Sequence, residues 1–293
     1  MPGAEFVRVD LHVHTYPDGE VAPAPDLRAY LTAAKDSGIR ALAVTDHNTA
    51  RFAREAVEAA AATDLLLIPG IEVSTHHGHL LGLFSPHAIA ELEEFALSLK
   101  LTDLSPTDKR SRRSMLDLVQ DIHSRRGLAI PAHVDSDHGL TSRMGPAELE
   151  ELLTSPSLAG LEFATHEALK TWFTDDDPDE PRRTAFKKRR GVRELRERGL
   201  ARLMSSDAHS PQKVGQDRSS RTLTRLRLDD LNFEAVSNAI ANNPKARCKP
   251  EVTLPAGYPW IQGAEFHGGF LDGVTLELSP NLNCLIPEFR SSR

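Results

Sequence analysis

Short apolar runs alternate with amphipathic segments along most of the chain. Val9–Thr15 alternates apolar with polar residues over the length of a strand, and Asp26–Ser37 then carries apolar residues at helical spacing before Gly38. The later apolar runs predict strands at 39–44, 65–73, 79–84, 128–130, 158–163 and 201–204. The amphipathic segments predict helices at 26–37, 50–62, 89–99, 111–126, 146–153 and 182–198. This alternation predicts an α/β fold with a parallel sheet.

Histidine and carboxylate side chains stand at the carboxyl ends of these predicted strands. His12 and His14 are two residues apart on one strand, so they point to the same face. His79 instead opens its strand on the turn after Glu72, and a hairpin there would fold it back toward the ends of the other strands. The others that follow strands are His47, Glu72, His133, Asp207 and His209. In parallel α/β barrels the carboxyl ends of the strands meet at one mouth, and buried imidazoles without partners are costly. The pattern therefore predicts a metal site at that mouth.

Composition narrows the class of protein. The 293 residues include 13 histidines and two cysteines, with 40% hydrophobic and 26% charged residues. These fractions are ordinary for a globular protein, and the net charge of −7 gives no sign of a general nucleic-acid binder. We find no signal peptide, no apolar run that could cross a bilayer and no disulfide framework. These features predict a cytoplasmic protein that does not bind membranes.

Several motifs occur in order between about Val7 and Val214. They are His12-x-His14 with Thr15 and Asp18-Gly19, Thr45-Asp46-His47, Gly70-Ile71-Glu72, His79-Leu80-Leu81-Gly82, Ala132-His133 and Ser206-Asp207-Ala208-His209. As a set they resemble the signatures of the PHP (polymerase and histidinol phosphatase) superfamily. The resemblance implies a distorted (β/α)7 TIM-like barrel, a trinuclear metal centre and hydrolysis of phosphate esters.

The same resemblance implies a ligand set. His12, His14, Glu72 and Asp207 would hold one ion, Glu72, His79 and His133 a second with Glu72 bridging, and Asp18, His47 and His209 a third. Glu72, Asp207 and His209 would also be the catalytic residues. Mixed imidazole and carboxylate ligands suit zinc, manganese or iron better than calcium, so we expect two to three such divalent ions.

Two of these ligand positions have competitors. The segment before Asp18 is one residue shorter than the usual motif, so Glu20 competes with Asp18 for that role. His76 and His77 compete with His79, which we favour because it directly begins an apolar run.

Other polar residues have both a functional and an ordinary interpretation. Asp10 and Asp46 adjoin ligands and either orient imidazoles or are ordinary strand-end residues. Arg143 and Arg218 are candidates for binding the substrate phosphate, or solvated loop charges. The basic segment 182–198 follows an acidic run, and a solvated helix face is favoured over a nucleic-acid surface.

The C-terminal part has a different character. We predict that the barrel occupies residues 1–247 and that a short β-rich extension occupies 248–286. Residues 269–286 resemble the opening hairpin of an ABC- or SMC-like ATPase domain, so the chain resembles the N-terminal part of a PHP–ATPase fusion. No phosphate-binding loop motif occurs in the sequence. A plain β extension is the alternative, and residues 287–293 are expected to be an expression tail with the ATPase portion missing.

The sequence as a whole predicts a metal-dependent phosphoesterase that uses a metal-activated water. The expected substrate is a phosphomonoester of a nucleotide or small metabolite. The alternatives are a phosphodiesterase or exonuclease acting on nucleic-acid ends, and a catalytically silent regulatory module. An amidohydrolase is a weaker alternative, because that family usually ends with a lone aspartate whereas this chain ends with Asp207-x-His209.

Overall fold

The computed structural model describes residues 5–16, 24–101, 110–137, 139–188, 199–216, 223–251, 261 and 263–278. Its strands are β1 (Glu5–Val13), β2 (Ile39–Val44), β3 (Leu66–Thr75), β4 (Gly78–Leu83), β5 (Leu128–Ala132), β6 (Gly160–Glu162), β7 (Ala201–Leu203), β8 (Thr224–Leu228), β9 (Cys248–Pro250), β10 (Gly263–Glu265) and β11 (Thr275–Glu277).

The helices lie mostly between these strands. They are α1 (Leu27–Asp36), α2 (Ala53–Ala60), α3 (Ile89–Ser98), α4 (Met115–Ser124), α5 (Leu140–Arg143), α6 (Pro146–Thr154), α7 (His166–Thr171), α8 (Glu180–Lys188), α9 (Phe233–Ser237) and α10 (Pro244–Arg247), with single turns of other helix types at Pro211–Lys213, Asn238–Asn242 and Gly269–Leu271. The Asp26 and Ser114 side chains cap α1 and α4 by accepting backbone N–H groups of the first turn, as polar N-cap residues do.

Seven strands form one mixed sheet in the order β5-β4-β3-β2-β1-β8-β9. Strands β1, β2 and β3 are parallel, whereas β4 runs antiparallel to both of its neighbours. The parallel arrangement predicted from the sequence therefore holds for β1 to β3 but not for β4, β8 and β9, and the hairpin indicated at the turn before His79 is formed by β3 and β4. Only two residues separate β3 from β4, and a connection that short makes a hairpin, since a parallel crossover needs about a dozen residues or more.

The parallel pair β6–β7 connects the β5 edge of this sheet with β1. A parallel bridge between Ala129 and Leu158 joins the β5 side, and a parallel bridge between Val13 and Ala208 joins β1 to the segment after β7. The sheet is therefore strongly curled, and the carboxyl ends of β1, β3, β6 and β7 face one another. This is a mixed α/β fold with a curled sheet.

Apolar side chains pack on both faces of the curled sheet. One cluster joins β-strand residues such as Leu11, Ile68 and Leu203 to α9. Another packs Ile71 and Phe84 against α3, α4 and α6. Because both faces are covered, the strands are buried along their length, and polar side chains are tolerated only where they find partners.

The chain divides into two compact units. Residues 5–251 form the larger unit, and the described residues beyond 252 belong to the smaller one. Within the smaller unit, β10 and β11 pair antiparallel, and Gly269–Leu271 is a single helical turn. The second half of the hairpin expected over 269–286, residues 279–286, lies outside the described residues.

Candidate metal centre

The two histidines of β1 lie side by side, as the alternation of a strand requires. Their Nε2 atoms are 3.0 Å apart, and both side chains are buried. The end of β1 is held on both flanks: the Thr45 N–H donates to the Val13 carbonyl, and the His14 N–H donates to the Ala208 carbonyl. The histidine pair therefore sits where the segments after β2 and β7 converge.

The Glu72 carboxylate lies at the middle of a ring of imidazoles. It is 1% exposed and belongs to β3, beside the β2–α2 loop, since its N–H donates to the Asp46 carbonyl. Its Oε2 lies 3.2 Å from His12 Nε2, 3.2 Å from His14 Nε2 and 3.1 Å from His47 Nδ1. Its Oε1 lies 2.8 Å from His79 Nδ1 and 3.2 Å from His133 Nε2. One carboxylate thus contacts five histidines from four different segments.

Asp207 and His209 complete the cluster from the loop after β7. Asp207 Oδ1 is 3.3 Å from His14 Nε2 and 3.6 Å from His12 Nε2. The His209 ring stacks on His14 with the ring centroids 4.2 Å apart, and 41% of its side chain is exposed. The buried cluster therefore opens to solvent on the His209 side.

The donor atoms are arranged as metal ligands are. Three sets of atoms lie mutually within 4.8 Å: those of His14, His47 and His209, of His12, His14 and Asp207, and of His47, Glu72 and His79. Glu72 Oε2 and His14 Nδ1 are buried without a hydrogen bond of good geometry, although three imidazole nitrogens surround Glu72 Oε2. Converging lone pairs in a buried place repel one another unless cations lie between them. The residues present therefore fit divalent metal ions.

The electrostatics of the cluster follow from burial and from the opposed charges. Burial alone would raise the pKa of Glu72, but His12, His47 and His79 hold it well below its ordinary value. Burial opposes protonation of His14 too, yet the Asp207 and Glu72 carboxylates raise its pKa to about 9. For His47 burial dominates and lowers the pKa to about 3. Without an ion, protons thus partly take the place of cations at this site.

Two of the cluster residues have a strained backbone. His133 and Asp207 have φ values of 32° and 49°, in the left-handed region that residues with a Cβ rarely adopt. Such strain persists only where surrounding contacts fix it, and it clusters at functional sites. Here it turns both side chains into the cluster immediately after β5 and after the β7 segment.

Asp10 and Asp46 hold the loops that carry the cluster. Asp46 accepts hydrogen bonds from the Thr15 and Tyr16 N–H groups at 2.6 and 2.9 Å. Asp10 accepts from the Ser206 and Gly215 N–H groups at 2.9 and 3.1 Å, on the loop that bears Asp207. Both carboxylates therefore bind backbone amides, and neither orients an imidazole.

Glu162 belongs to the cluster, and sequence reasoning missed it. It ends β6, is 3% exposed and places its carboxylate oxygens 3.0 and 3.2 Å from His12 Nδ1. It also accepts the His133 N–H at 3.2 Å. The signal was available, because an acidic residue stands inside the apolar run Leu161-Glu162-Phe163 at the carboxyl end of a predicted strand.

The structure shows which of the remaining sequence candidates contact the cluster and which do not. His79 contacts Glu72, whereas His76 is exposed and His77 lies 3.4 Å from Glu148. Arg143 is half-buried at the end of α5. Asp18, Glu20 and Arg218 lie outside the described residues, as does the segment 287–293.

Sequence comparison finds one informative relative. No model of a known protein family matches the chain. An uncharacterized protein of Methanocaldococcus jannaschii, MJ1587, is 32% identical over 139 residues, which cover 43% of this chain and 67% of that protein. The chain belongs to the same family as this archaeal protein.

Solved structures show the fold. The lesion-specific endonuclease PfuEndoQ of Pyrococcus furiosus aligns over 81% of this chain with a TM-score of 0.58 and 16% identity. A two-domain Bacteroides vulgatus protein that contains a predicted PHP-like metal-dependent phosphoesterase aligns over 85% with a TM-score of 0.53 and 19% identity. The aligned parts make up 56% and 65% of those two chains. The chain therefore shares the fold of PHP-like phosphoesterases, and it corresponds to only part of these larger proteins.

Proposed function

We propose that this chain is a metal-dependent phosphoester hydrolase. The observation that carries the proposal is the Glu72 carboxylate, which is buried among five imidazoles and has an oxygen with no adequate hydrogen bond. An ordinary structural carboxylate would be satisfied by donors of good geometry. The shared fold with PHP-like phosphoesterases supports the same chemistry.

The ligand sets expected from the sequence are compatible with this geometry. We propose that His12, His14, Glu72 and Asp207 hold one ion. His79 and His133 would hold a second ion, and Glu72 would bridge the two ions. His47 and His209, whose rings both lie against the His14 ring, would hold a third ion with Asp18. The donor set of imidazoles and carboxylates favours zinc, manganese or iron.

The protein residues would orient the reaction. When bound, such ions neutralise phosphate oxygens and lower the pKa of the attacking water toward neutrality. Glu72 and Asp207 keep ionised carboxylates in place because the surrounding histidines lower the pKa of both. His209, on the exposed rim, would act as a metal ligand, and its Nδ1 lies 3.0 Å from the Asp207 carbonyl oxygen, a contact that orients the ring.

The substrate we propose first is a phosphomonoester of a nucleotide or small metabolite. The second candidate is a phosphodiester in nucleic acid, and one observation favours it. The fold is shared with an endonuclease Q whose structure was solved on a 27-mer duplex with an abasic lesion at the active site, at a TM-score of 0.56 and 16% identity.

Several finer expectations remain predictions. They are the (β/α)7 strand count, the domain boundaries, the relation of the C-terminal segment to an ATPase and the cytoplasmic location. Among the described residues, each helix is too short or too polar to cross a membrane.

Elemental analysis combined with two ester assays tests the proposal. The wild-type protein should carry two to three equivalents of zinc, manganese or iron and should cleave an aryl phosphate monoester or an aryl phosphodiester in a chelator-sensitive way. Glu72→Ala and Asp207→Ala should lose metal and activity together, while Glu148→Ala at an exposed carboxylate should lose neither. Absence of metal, or full activity in Glu72→Ala, would refute the proposal.

A further inference from the structure

A groove opens beside the histidine–carboxylate cluster, on the loop that follows His47. Its volume is about 330 Å³, and its lining includes Asn48, Thr49, Arg51, Glu93 and the exposed Leu97. Asn48 anchors the groove to the cluster, because its N–H donates to the Glu72 carbonyl at 2.8 Å. Asn48 also exchanges side-chain hydrogen bonds with Ser74 on β3. The groove wall is therefore rigidly joined to the strand that carries the central carboxylate.

Arg51 is held in a fixed place at this groove by aromatic rings. Its guanidinium carbon lies 5.4 Å from the Phe52 ring centroid and 5.9 Å from that of Tyr16. The two rings pack on each other 5.1 Å apart, and Tyr16 is tied to the Asp46 carboxylate. Such stacking limits the freedom of the arginine side chain and leaves its N–H groups available at the edges.

The charge of Arg51 is not balanced within the groove. Glu93 is the acidic residue of the lining, and both of its oxygens are taken by Arg54, at 2.8 and 2.9 Å. Arg51 itself has no ion pair with a carboxylate in the part of the chain that the structure describes. A pre-positioned guanidinium without a counter-ion binds phosphate well, since its planar fork matches two phosphate oxygens.

We propose that this groove is a second anion subsite, in which Arg51 binds a phosphate group next to the one that is cleaved. The inference rests on the proposed function and narrows its substrate class to molecules with at least two phosphates, such as a nucleoside bisphosphate or the end of a nucleic-acid strand. The metal cluster receives the scissile phosphate, and Arg51 selects for a neighbour of that group.

The test compares ligands that differ by one phosphate. The substrates are the p-nitrophenyl ester of thymidine 5′-phosphate with and without a 3′-phosphate. Calorimetric binding of thymidine 3′,5′-bisphosphate and of thymidine 5′-monophosphate to the metal-loaded protein gives a readout that needs no turnover. The variants are Arg51→Ala and Arg51→Lys, with Arg40→Ala as the control, because Arg40 is an exposed arginine at the start of β2 and does not line the groove.

Wild type should prefer the ligand with the additional phosphate, through KM and Kd rather than kcat. Arg51→Ala should lose about tenfold in affinity for that ligand alone, Arg51→Lys should recover part of the loss, and Arg40→Ala should behave as wild type. Equal weakening of both ligands, or no weakening of either, would overturn the subsite. If neither ester is cleaved but Arg51→Ala still weakens binding of the bisphosphate alone, the subsite stands and the hydrolase proposal fails.

Discussion

Replacing Glu162 by glutamine should weaken metal binding without removing a ligand. The Glu162 carboxylate lies 3.0 Å from His12 Nδ1, and the other ring nitrogen of His12 faces Glu72. A carboxylate in this position accepts the Nδ1 proton, fixes the tautomer that leaves Nε2 free to bind an ion and makes the imidazole more basic. A glutamine is neutral and can turn its amide N–H groups toward the ring, so both effects are lost.

The expected magnitude follows from the burial of the pair. Partners that orient metal-binding histidines are worth about 10- to 100-fold in metal affinity or activity, which corresponds to about 1.4 to 2.8 kcal/mol. Both side chains are buried, with relative exposures of 0% for His12 and 4% for Glu162. Since a buried charge pair is screened little by solvent or salt, we expect the upper half of that range.

Competition with a chelator of known affinity measures the effect, with zinc as the titrant and elemental analysis at saturation. Glu162→Gln should bind as many ions as wild type at saturation but the tightest of them about 30- to 100-fold more weakly, Glu162→Asp should fall between, and Glu148→Gln should match wild type. Zinc affinity and kcat/KM within twofold of wild type would refute the reasoning. Loss of one whole equivalent at saturation would show that Glu162 is itself a ligand.

Three other changes test the scaffold. Asp10→Asn should lower the free energy of unfolding by about 1–3 kcal/mol and reduce ester hydrolysis, because it faces two backbone N–H groups of the loop that bears Asp207; urea unfolding and the ester assay measure this. Gly70→Ala should destabilise by about 1–3 kcal/mol, since a Cβ there would lie 2.9 Å from the Gly82 carbonyl oxygen and from the Thr45 methyl group; thermal unfolding measures it. Burial opposes ionisation of Asp121, but the Arg113 and Arg125 guanidiniums outweigh it and lower its pKa. A depressed pKa contributes stability above the ordinary value and loses it as the pH falls through the folded value, so Asp121→Asn should cost about 0.5–1 kcal/mol at pH 7 and nothing in strong acid.

Each of these has a matched control or a contrary result. Asp10→Asn with unchanged stability and activity would show that the loop is held by other contacts. Gly145→Ala, where a Cβ meets nothing within 4 Å, should change stability by less than about 0.5 kcal/mol. A stability difference for Asp121→Asn that stays constant from pH 7 to pH 2 would exclude the charge as its cause.

The local pattern of apolar and polar residues predicted most secondary-structure elements and the residue types of the site. Strand 39–44 has the bounds that the apolar run predicted, and the histidine alternation in β1 places His12 and His14 on one face. These features depend on the period of a strand and on which residues avoid water, and both are properties of a short segment. The same alternation does not reveal which distant segments meet.

Only the tertiary structure decided the partners. The hairpin before β4 was indicated by the sequence, but its register, with Ser74 opposite His79, is what sets His79 against Glu72. Asp10 and Asp46 anchor loops because backbone N–H groups of distant segments lie within hydrogen-bond distance of their carboxylates. Glu162 contacts His12 although the two residues are 150 positions apart in sequence, so only the packing of distant strands brings them together. Sequence determines which groups need a partner, but the distances that satisfy them arise from packing between strands far apart along the chain.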